Sequence, residues 1–329
     1  MDTLGIGIIG AGKHGLRYAR HLVEDVKGAS LVAICRRDRA EGAAVAARLG
    51  CAFHDDWRAL VVDPRVEAVV TVVPPVLNVA IAEAACAAGK HLLIEKPLAT
   101  TAGDAERIAA VVAGSGVRAM VAQTLRFDAT VVAVQAHVDA IAPLHALSIG
   151  QRFERSQLAW LDDPAQSGGG VVLHTGIHSI DLLRVLSRAE IVEVSCLISR
   201  VFTERTEDNF VMQARLGAEG VLAQISGSRA LGGRAGLMEL AGAGGQIVAD
   251  HVQRSAWIVR GRERTPIEVP PPVPTVREVL RALVAAVRDG APVPVTIDDG
   301  VRAVAVVDAC YRSAERNGAP ERVRVKLTR

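Results

Sequence analysis

Two histidines and an aspartate are closely spaced in the segment GGGVVLHTGIHSIDLL, residues 168–183. His174 and His178 are four residues apart, and Asp181 follows three residues later. If this segment is helical, that spacing places the three side chains on one face. Because an imidazole exchanges protons near neutral pH, such a face suits acid/base chemistry. A metal site is one alternative, and a helix face whose polar groups are satisfied internally is another.

The metal alternative has little support from the sequence. Two histidines at this spacing are a known zinc-binding pair. However, the chain lacks the glutamate of an HExxH motif, and no third ligand stands at a suitable spacing. We therefore expect no metal ion at His174 and His178.

A glycine-rich motif, GAGKHG, occupies residues 10–15, at the end of the apolar run LGIGII. Gly10, Gly12 and Gly15 form a G-x-G-x-x-G pattern between a predicted buried strand and a predicted helix. In this βαβ context, glycines permit a tight turn and a close approach of the backbone to a pyrophosphate, which then meets the helix N-terminus. The motif predicts a dinucleotide-binding site.

The end of the second predicted strand bears on the choice between NAD and NADP. An NAD site has Asp or Glu here, which accepts a hydrogen bond from the ribose 2′-hydroxyl. The sequence reads AICRRD, so Arg36 and Arg37 stand at that place. Two guanidinium groups match a 2′-phosphate in charge and geometry, and we expect NADP(H) to be preferred over NAD(H). The alternatives are that Asp38 binds the ribose or that the arginines only face solvent.

The length and composition narrow the class of protein. The chain of 329 residues is long enough for two domains. Its 38 Lys and Arg against 36 Asp and Glu give a net charge of +2, so nothing indicates nucleic acid or a membrane as a partner. Five scattered cysteines without a CxxC pair favour reduced thiols and a cytoplasmic location. We expect neither a signal peptide nor a membrane span.

The order of apolar runs predicts an α/β protein with two domains. Strand-like and helix-like runs alternate over residues 1–122, which is typical of a doubly wound parallel sheet of the Rossmann type. Over residues 123–329, β-rich runs with turn residues between them follow the histidine segment and predict a mostly antiparallel sheet. We expect an extended proline-rich connector at 269–276 and two helices near 277–288 and 299–315.

Three motifs, GIIGAGKHG, EKPLA and GGGVVLHTGIHSID, occur together and in this order. Their combination resembles the glucose–fructose oxidoreductase/inositol dehydrogenase family (Gfo/Idh/MocA) over essentially the whole chain. The resemblance implies an N-terminal Rossmann domain and a C-terminal α/β domain with a large sheet, whose open face often pairs subunits into homodimers or homotetramers. It also implies reversible hydride transfer between NAD(P) and a sugar, polyol or related carbonyl compound.

The same resemblance implies roles for single residues. Lys96 matches the family's lysine that reaches the nicotinamide ribose and the substrate oxygen, and Pro97 matches a proline that often follows a cis bond. His178 matches the histidine that acts as acid/base. Asn78 stands where the family often has His, in the loop bordering the nicotinamide. His174 stands where the family frequently has Asp, which leaves its role in proton transfer or substrate contact open.

Hydride reduction of a carbonyl needs a proton donor beside the oxygen and positive charge where the alkoxide develops. We therefore expect Lys96, His178 and His174 to be catalytic. We expect Trp160, Asp162 and Asp163 to line the pocket mouth. The predicted cofactor contacts are Gly10, Gly12, Lys13, His14, Gly15, Arg36, Arg37, Pro74, Asn78, Glu95, Lys96 and Gln123. The predicted substrate contacts are Lys96, Arg126, Arg152, His174, His178 and Asp181.

Two other functions stay open at this point. A non-catalytic regulator would keep the dinucleotide-binding fold without turnover. This alternative stays open because His174 stands where the family frequently has Asp. A redox-assisted glycoside eliminase or hydrolase would oxidise and restore its bound cofactor in each turnover.

Overall fold

The computed structural model describes residues 3–326, which form two compact units. Of these residues, 3–124, 274–301 and 326 belong to the first unit, and 125–273 and 302–325 belong to the second. The first unit thus includes a late segment that the division at residue 122 assigns to the second domain.

The first unit contains a six-stranded parallel sheet in the order β3-β2-β1-β4-β5-β6. Its strands are β1 (Leu4–Ile9), β2 (Ala29–Cys35), β3 (Ala52–His54), β4 (Ala68–Thr71), β5 (His91–Glu95) and β6 (Ala119–Ala122). The predicted doubly wound sheet is confirmed. The strand order reverses between β1 and β4, and ligands of such sheets bind at the carboxyl ends of the strands near this reversal.

The second unit contains a nine-stranded sheet in the order β14-β13-β12-β11-β7-β10-β9-β8-β15. Its strands are β7 (Leu144–Glu154), β8 (Ile191–Ser199), β9 (Asn209–Leu216), β10 (Val221–Leu231), β11 (Ala235–Gly242), β12 (Gly245–Asp250), β13 (Ser255–Arg260), β14 (Glu263–Pro266) and β15 (Glu321–Arg322). Only the pair of β7 and β10 is parallel among the described strand pairs of this sheet, so the predicted mostly antiparallel sheet is confirmed. The sequence patterns missed the central strand β7, because Gly150 and the buried Gln151 interrupt its apolar alternation.

Ten α-helices accompany the two sheets in the described part of the chain. They are α1 (Gly15–Glu24), α2 (Arg39–Leu49), α3 (Trp57–Val61), α4 (Asn78–Ala87), α5 (Ala102–Ser115), α6 (Ala129–His137), α7 (Pro164–Ser167), α8 (Ile177–Ser187), α9 (Thr275–Arg288) and α10 (Ile297–Glu315). None of them, within residues 3–326, combines the length and apolarity that a membrane crossing needs.

The helix α9 explains why the segment from residue 274 joins the first unit. It packs against α1 and buries an apolar face that includes Val279, Leu280 and Leu283. An ion pair of 3.5 Å between Arg277 and Asp25 lies beside this contact. The burial of these large apolar side chains holds α9 on the Rossmann sheet's helical layer.

One face of the nine-stranded sheet is covered by α8, which contacts β7 and β10. The other face exposes large apolar side chains at regular strand spacing. Leu197, Val211, Leu222 and Leu237 are each between 50% and 61% exposed. We call these four residues the open-face stripe.

The histidine segment begins with a π-helical turn, Val172–Gly176, which continues directly into α8. A regular helix was the expectation, and the wider turn changes the spacing on which the shared face of His174 and His178 was based. The turn packs tightly onto the sheet at Phe210. A Cβ atom on Gly176 would lie 2.7 Å from the Phe210 ring, and one on Gly227 would lie 2.2 Å from it.

Candidate functional site

The glycine-rich loop after β1 depends on each of its three glycines for a different reason. Gly10 has a φ of +95°, and a Cβ atom there would lie 2.2 Å from the carbonyl oxygen of Val72. A Cβ atom on Gly15 would lie 2.2 Å from the carbonyl oxygen of Gly10. At Gly12, apart from the glycine itself and its adjacent residues, no heavy atom of the described chain lies within 4 Å of the Cβ position. Gly10 and Gly15 therefore close the turn, while Gly12 leaves open space that suits a pyrophosphate.

A buried carboxylate joins this loop to the end of β5. Glu95 lies 2.6 Å from Nε2 of His14, accepts a hydrogen bond from the Tyr18 hydroxyl at 2.7 Å, and accepts one from the backbone N–H of Lys96 at 2.9 Å. Burial alone would raise the pKa of Glu95, but His14, Lys96 and Tyr18 together hold it below its ordinary value. Glu95 and His14, both predicted cofactor contacts, therefore bind each other and fix the start of Lys96 relative to the loop.

Asn78 fixes the backbone on the other side of Lys96. Its side-chain amide donates hydrogen bonds to the carbonyl oxygens of Pro97 at 3.2 Å and Leu98 at 3.1 Å, and it accepts one from the Thr71 hydroxyl at 3.3 Å. The peptide bond between Lys96 and Pro97 is cis. Sequence reasoning assigned Asn78 to the cofactor and missed this positioning role.

The arginines after β2 differ in their surroundings. Arg36 donates a hydrogen bond to the carbonyl oxygen of Ala11 at 2.9 Å, within the glycine-rich loop, and forms an ion pair with Glu41. Arg37 is exposed. The carboxylate of Asp38 caps α2 by accepting the N–H of Glu41 at 2.9 Å. Of these two arginines, Arg36 is therefore the one that contacts the glycine-rich loop.

The residues of the first unit fit a bound dinucleotide. Gln123 is 1% exposed, and neither atom of its amide group has a hydrogen-bond partner within the described chain. A buried polar group without a protein partner is a candidate ligand contact. Of the other predicted contacts, Lys13 is exposed at the loop, and Pro74 is half-buried after β4. Together with the open space at Gly12, these groups match what a dinucleotide needs.

In the second unit, the glycine triplet before the π-helical turn is required by its neighbours. Gly168 has a φ of +73° and ends α7. A Cβ atom on Gly169 would lie 2.1 Å from the Tyr311 hydroxyl, and one on Gly170 would lie 2.0 Å from the carbonyl oxygen of Glu207. Larger residues would therefore push the turn away from both neighbours.

Glu207 holds the start of the π-helical turn. Its buried carboxylate accepts hydrogen bonds from the backbone N–H of Gly170 at 3.1 Å and of Val172 at 3.0 Å, and from the Tyr311 hydroxyl at 3.0 Å. Burial raises the pKa of Glu207 above its ordinary value despite these bonds. Sequence reasoning missed this residue, which lies outside every motif.

His174 and His178 have different environments on the two sides of the turn. His174 is 5% exposed, and its Nε2 lies 2.9 Å from the carbonyl oxygen of Ser167. Because a carbonyl oxygen only accepts, Nε2 carries the hydrogen and donates it. The Trp160 ring meets the His174 ring edge-on at 5.5 Å between centroids. His178 is half-buried in the first turn of α8.

Two predicted substrate contacts, Asp181 and Arg126, bind each other. The Asp181 carboxylate accepts from Nε of Arg126 at 2.7 Å and from Nη2 at 2.5 Å, and Nη1 of Arg184 lies 3.9 Å away. Arg152 donates to the backbone oxygen of Ser226 at 2.7 Å and to its hydroxyl at 2.8 Å. It lines a groove on the exposed sheet face that also includes Leu197 and Val211 of the open-face stripe.

A cavity of about 620 Å³ lies within the second unit, a volume that suits a small ligand. Its lining includes Asp162, Val171, His174, Glu207, Asp208 and Arg229. The expected pocket-mouth loop therefore contributes Asp162. Of the predicted substrate contacts, only His174 is among the described residues that line this cavity; Lys96, Arg126, Arg152, His178 and Asp181 are not.

Two aspartates hold the loop that closes one side of this cavity. Asp208 accepts hydrogen bonds from the backbone N–H groups of Val201, Phe202 and Thr203. Asp162 accepts bonds of 2.8 to 3.0 Å from the N–H groups of residues 204–206. Within residues 3–326, no group of three or more His, Cys, Asp or Glu side chains has an arrangement that would hold a metal ion.

Comparison with known proteins gives matches to both parts of the chain. Residues 4–123 match the model of an oxidoreductase family with an NAD-binding Rossmann fold, and residues 130–248 match the GFO/IDH/MocA C-terminal domain.

Two curated relatives are about one-third identical to this chain within the aligned residues. Inositol 2-dehydrogenase 1 of Saccharopolyspora erythraea is 33% identical over 65% of this chain and 61% of its own length, so the match leaves out more than a third of that relative. Inositol 2-dehydrogenase of Acidothermus cellulolyticus is 30% identical over 80% of this chain and 78% of its own length. Among solved structures, GenD2 from gentamicin A biosynthesis, in complex with NAD, has a TM-score of 0.87 and 25% identity and covers 99% of this chain and 97% of its own.

Asp162 provides a stability test of the cavity loop. Burial acts to raise the pKa of Asp162, but the N–H groups of residues 204, 206 and 205 together lower it to about 2. The charged carboxylate therefore stabilises the fold fully above the unfolded pKa near 4, and this contribution is lost as the pH falls through about 2.

We expect Asp162→Asn to lower the free energy of unfolding by about 1 to 2 kcal/mol at pH 7. In urea denaturation the difference from the unsubstituted chain should stay constant down to about pH 5 and shrink towards pH 2. Asp289→Asn, at an exposed carboxylate after α9, is the control. A difference that grows on acidification would contradict this account.

Proposed function

Because this chain belongs to the Gfo/Idh/MocA oxidoreductase family, we propose that it transfers a hydride between a nicotinamide dinucleotide and a sugar, polyol or related hydroxy or carbonyl compound. The observation that carries the proposal is the position of Lys96. It follows the carboxyl end of β5, next to the glycine-rich loop, and Glu95 and Asn78 fix the backbone on both sides of it. Hydride transfer requires positive charge beside the substrate oxygen, and a lysine held at this place can supply it.

The first unit supplies the groups that would hold the nucleotide. Gly12 and the N-terminus of α1 face the pyrophosphate position, Gln123 offers an unsatisfied amide, and Arg36 lies where the ribose substituent is recognised. When bound, the nucleotide accepts or supplies the hydride at C4 of its nicotinamide ring. The charge of Arg36 favours NADP, because a 2′-phosphate can share Arg36 with Glu41 or displace that carboxylate.

The proton and the developing charge are then handled by this chain's own side chains. The ammonium Nζ of Lys96 stabilises negative charge on the substrate oxygen. The imidazole of His178 takes the hydroxyl proton in oxidation and returns it in reduction. His174, whose Nε2 donates to the backbone oxygen of Ser167, contacts the substrate from the cavity wall.

The open-face stripe supports a homodimer or homotetramer. Its four large apolar side chains are about half exposed in the single chain, and a second copy of the sheet would bury them. All five cysteines are free, and four are buried, which supports a reducing, cytoplasmic location.

The catalytic assignment predicts a loss of turnover at two positions. We expect Lys96→Met and His178→Gln each to lower kcat about 100-fold or more while the nucleotide still binds. The measurement is the near-ultraviolet absorbance of reduced nicotinamide with a panel of inositols, hexoses and polyols, and nucleotide binding is followed by fluorescence. Lys27→Met and His145→Gln, both at exposed positions, are the controls. Nucleotide binding without reaction across the whole panel would point to a regulator, and product without net absorbance change would point to a glycoside eliminase or hydrolase.

The cofactor assignment predicts a preference that depends on Arg36. We expect the unsubstituted enzyme to have a KM for NADP about tenfold or more below that for NAD, since hydrogen bonds to charged groups contribute about 1.5 to 3 kcal/mol. Arg36→Gln should remove this preference, and Glu41→Gln should strengthen it. Arg39→Ala, which removes an exposed arginine of the same helix start, should change neither KM. Equal use of both nucleotides by the unsubstituted enzyme would overturn the assignment.

The assembly assignment predicts dissociation when charge enters the open-face stripe. We expect Leu222→Lys combined with Val211→Lys to convert the oligomer to monomers in light scattering after size-exclusion chromatography. Val62→Lys, at an apolar residue of the first unit that is 70% exposed, is the control. An unsubstituted protein that is monomeric at micromolar concentration would contradict the assignment.

A further inference from the structure

Arg229 is a charged residue in the wall of the 620 Å³ cavity that no motif points to. It lies on β10, and its side chain extends towards the π-helical turn, where Nε donates a hydrogen bond to the Thr175 hydroxyl at 2.7 Å. Thr175 directly follows His174, which lines the same cavity. The guanidinium group and the His174 ring are therefore held by neighbouring residues of one helical turn.

Arg229 has no ion-pair partner within the described chain. Within the described chain, no carboxylate oxygen lies within 4 Å of its guanidinium nitrogens, and neither Nη1 nor Nη2 has a hydrogen-bond acceptor. Burial lowers the pKa of Arg229 from its ordinary value, and no neighbouring charge offsets this effect. A largely buried cation without an anion is costly, so a ligand that supplies the anion would gain from it.

The acidic residues in the cavity lining are committed to other partners. Asp162 and Asp208 each accept hydrogen bonds from three backbone N–H groups. Glu207 is occupied by Gly170, Val172 and the Tyr311 hydroxyl. Glu204 is exposed. The four N–H hydrogens on Nη1 and Nη2 therefore remain for a bound ligand.

We propose that Arg229 recognises a carboxylate on the substrate, so that the enzyme acts on a sugar acid rather than on a neutral sugar or polyol. Two parallel N–H donors of a guanidinium group match the two oxygens of a carboxylate. A singly charged group fits better than a phosphate dianion, because four acidic residues share the cavity lining. The inference deepens the proposed function, since it names the substrate class for that hydride transfer. Arg126 and Arg152, the arginines first considered for this role, are bound to Asp181 and Ser226 instead.

The test compares pairs of compounds that differ only in one group. Glucuronate and galacturonate differ from glucose and galactose in having a carboxylate in place of the CH₂OH group. Glucose 6-phosphate tests whether a phosphate group binds instead of a carboxylate. Binding to the full chain is measured by calorimetry with no nucleotide present and with the preferred nucleotide. Turnover is measured separately as kcat/KM from nicotinamide absorbance.

We expect the acids to bind about 10- to 100-fold more tightly than their neutral partners, as hydrogen bonds to a charged group allow. Arg229→Gln should abolish this difference and change the binding of neutral sugars less than threefold. Arg229→Lys should keep part of the difference in affinity between acids and neutral sugars, because lysine keeps the positive charge but lacks the two parallel N–H donors. Arg205→Gln, at an exposed arginine paired with Asp163, should have no effect.

Thermal unfolding separates recognition from a structural role. Because Arg229 lacks an anionic partner, Arg229→Gln should unfold at the same or a higher temperature than the unsubstituted chain. Galacturonate or glucuronate should raise the Tm of the unsubstituted chain but not that of the variant. A Tm that falls by several degrees in Arg229→Gln, together with equal losses for acid and neutral compounds, would assign Arg229 to the fold and overturn the inference.

The remaining outcomes distinguish the inference from the proposed function. Binding of acids that depends on Arg229, without any turnover, would uphold the inference and refute hydride transfer to these compounds. Turnover of neutral sugars that is unchanged in Arg229→Gln would uphold hydride transfer and refute the inference. No measurable binding of either acid, or tighter binding of glucose 6-phosphate than of both acids, would also refute it.

Discussion

The carboxylate of Glu207 is the contact on which the candidate site of the second unit depends. It draws together the N–H groups that start the π-helical turn and the Tyr311 hydroxyl of α10. Because Gly169 and Gly170 have no side chains, the backbone comes close enough for these bonds. The wide turn then continues into α8, so the placement of both histidines follows from a residue that performs no chemistry itself.

The first unit has a similar arrangement around the buried carboxylate of Glu95. A buried carboxylate again collects donors from separate segments, here the glycine-rich loop, α1 and the backbone at Lys96. Buried acidic groups are stable only when several hydrogen bonds replace their lost hydration. Those bonds join the three segments at one carboxylate. Each unit therefore positions its candidate reactive groups through one well-satisfied internal charge.

The sequence predicted the parts of this protein that depend on local patterns. The parallel sheet follows from apolar runs, and the nucleotide loop follows from the spacing of Gly10, Gly12 and Gly15. Features that depend on contacts between residues distant in the sequence could not be predicted from it. No sequence pattern near position 78 indicates that Asn78 donates hydrogen bonds to the backbone after Lys96. Likewise, the lack of an ion-pair partner for Arg229 can be recognised only from the three-dimensional structure around it. Buried polar residues of this kind have no periodic signature, since their partners lie far away along the chain.

The central position of β7 has a consequence for the growing chain. Its two neighbours, β10 and β11, begin at residues 221 and 235, long after β7 ends at residue 154. During synthesis β7 therefore emerges with both edges unpaired, which is the condition in which strands associate wrongly. Completion of the first unit is delayed further, because its helix α9 is synthesised only after strands β7–β14 of the second unit. The first unit is thus completed by residues 274–301, which are made after most of the second unit.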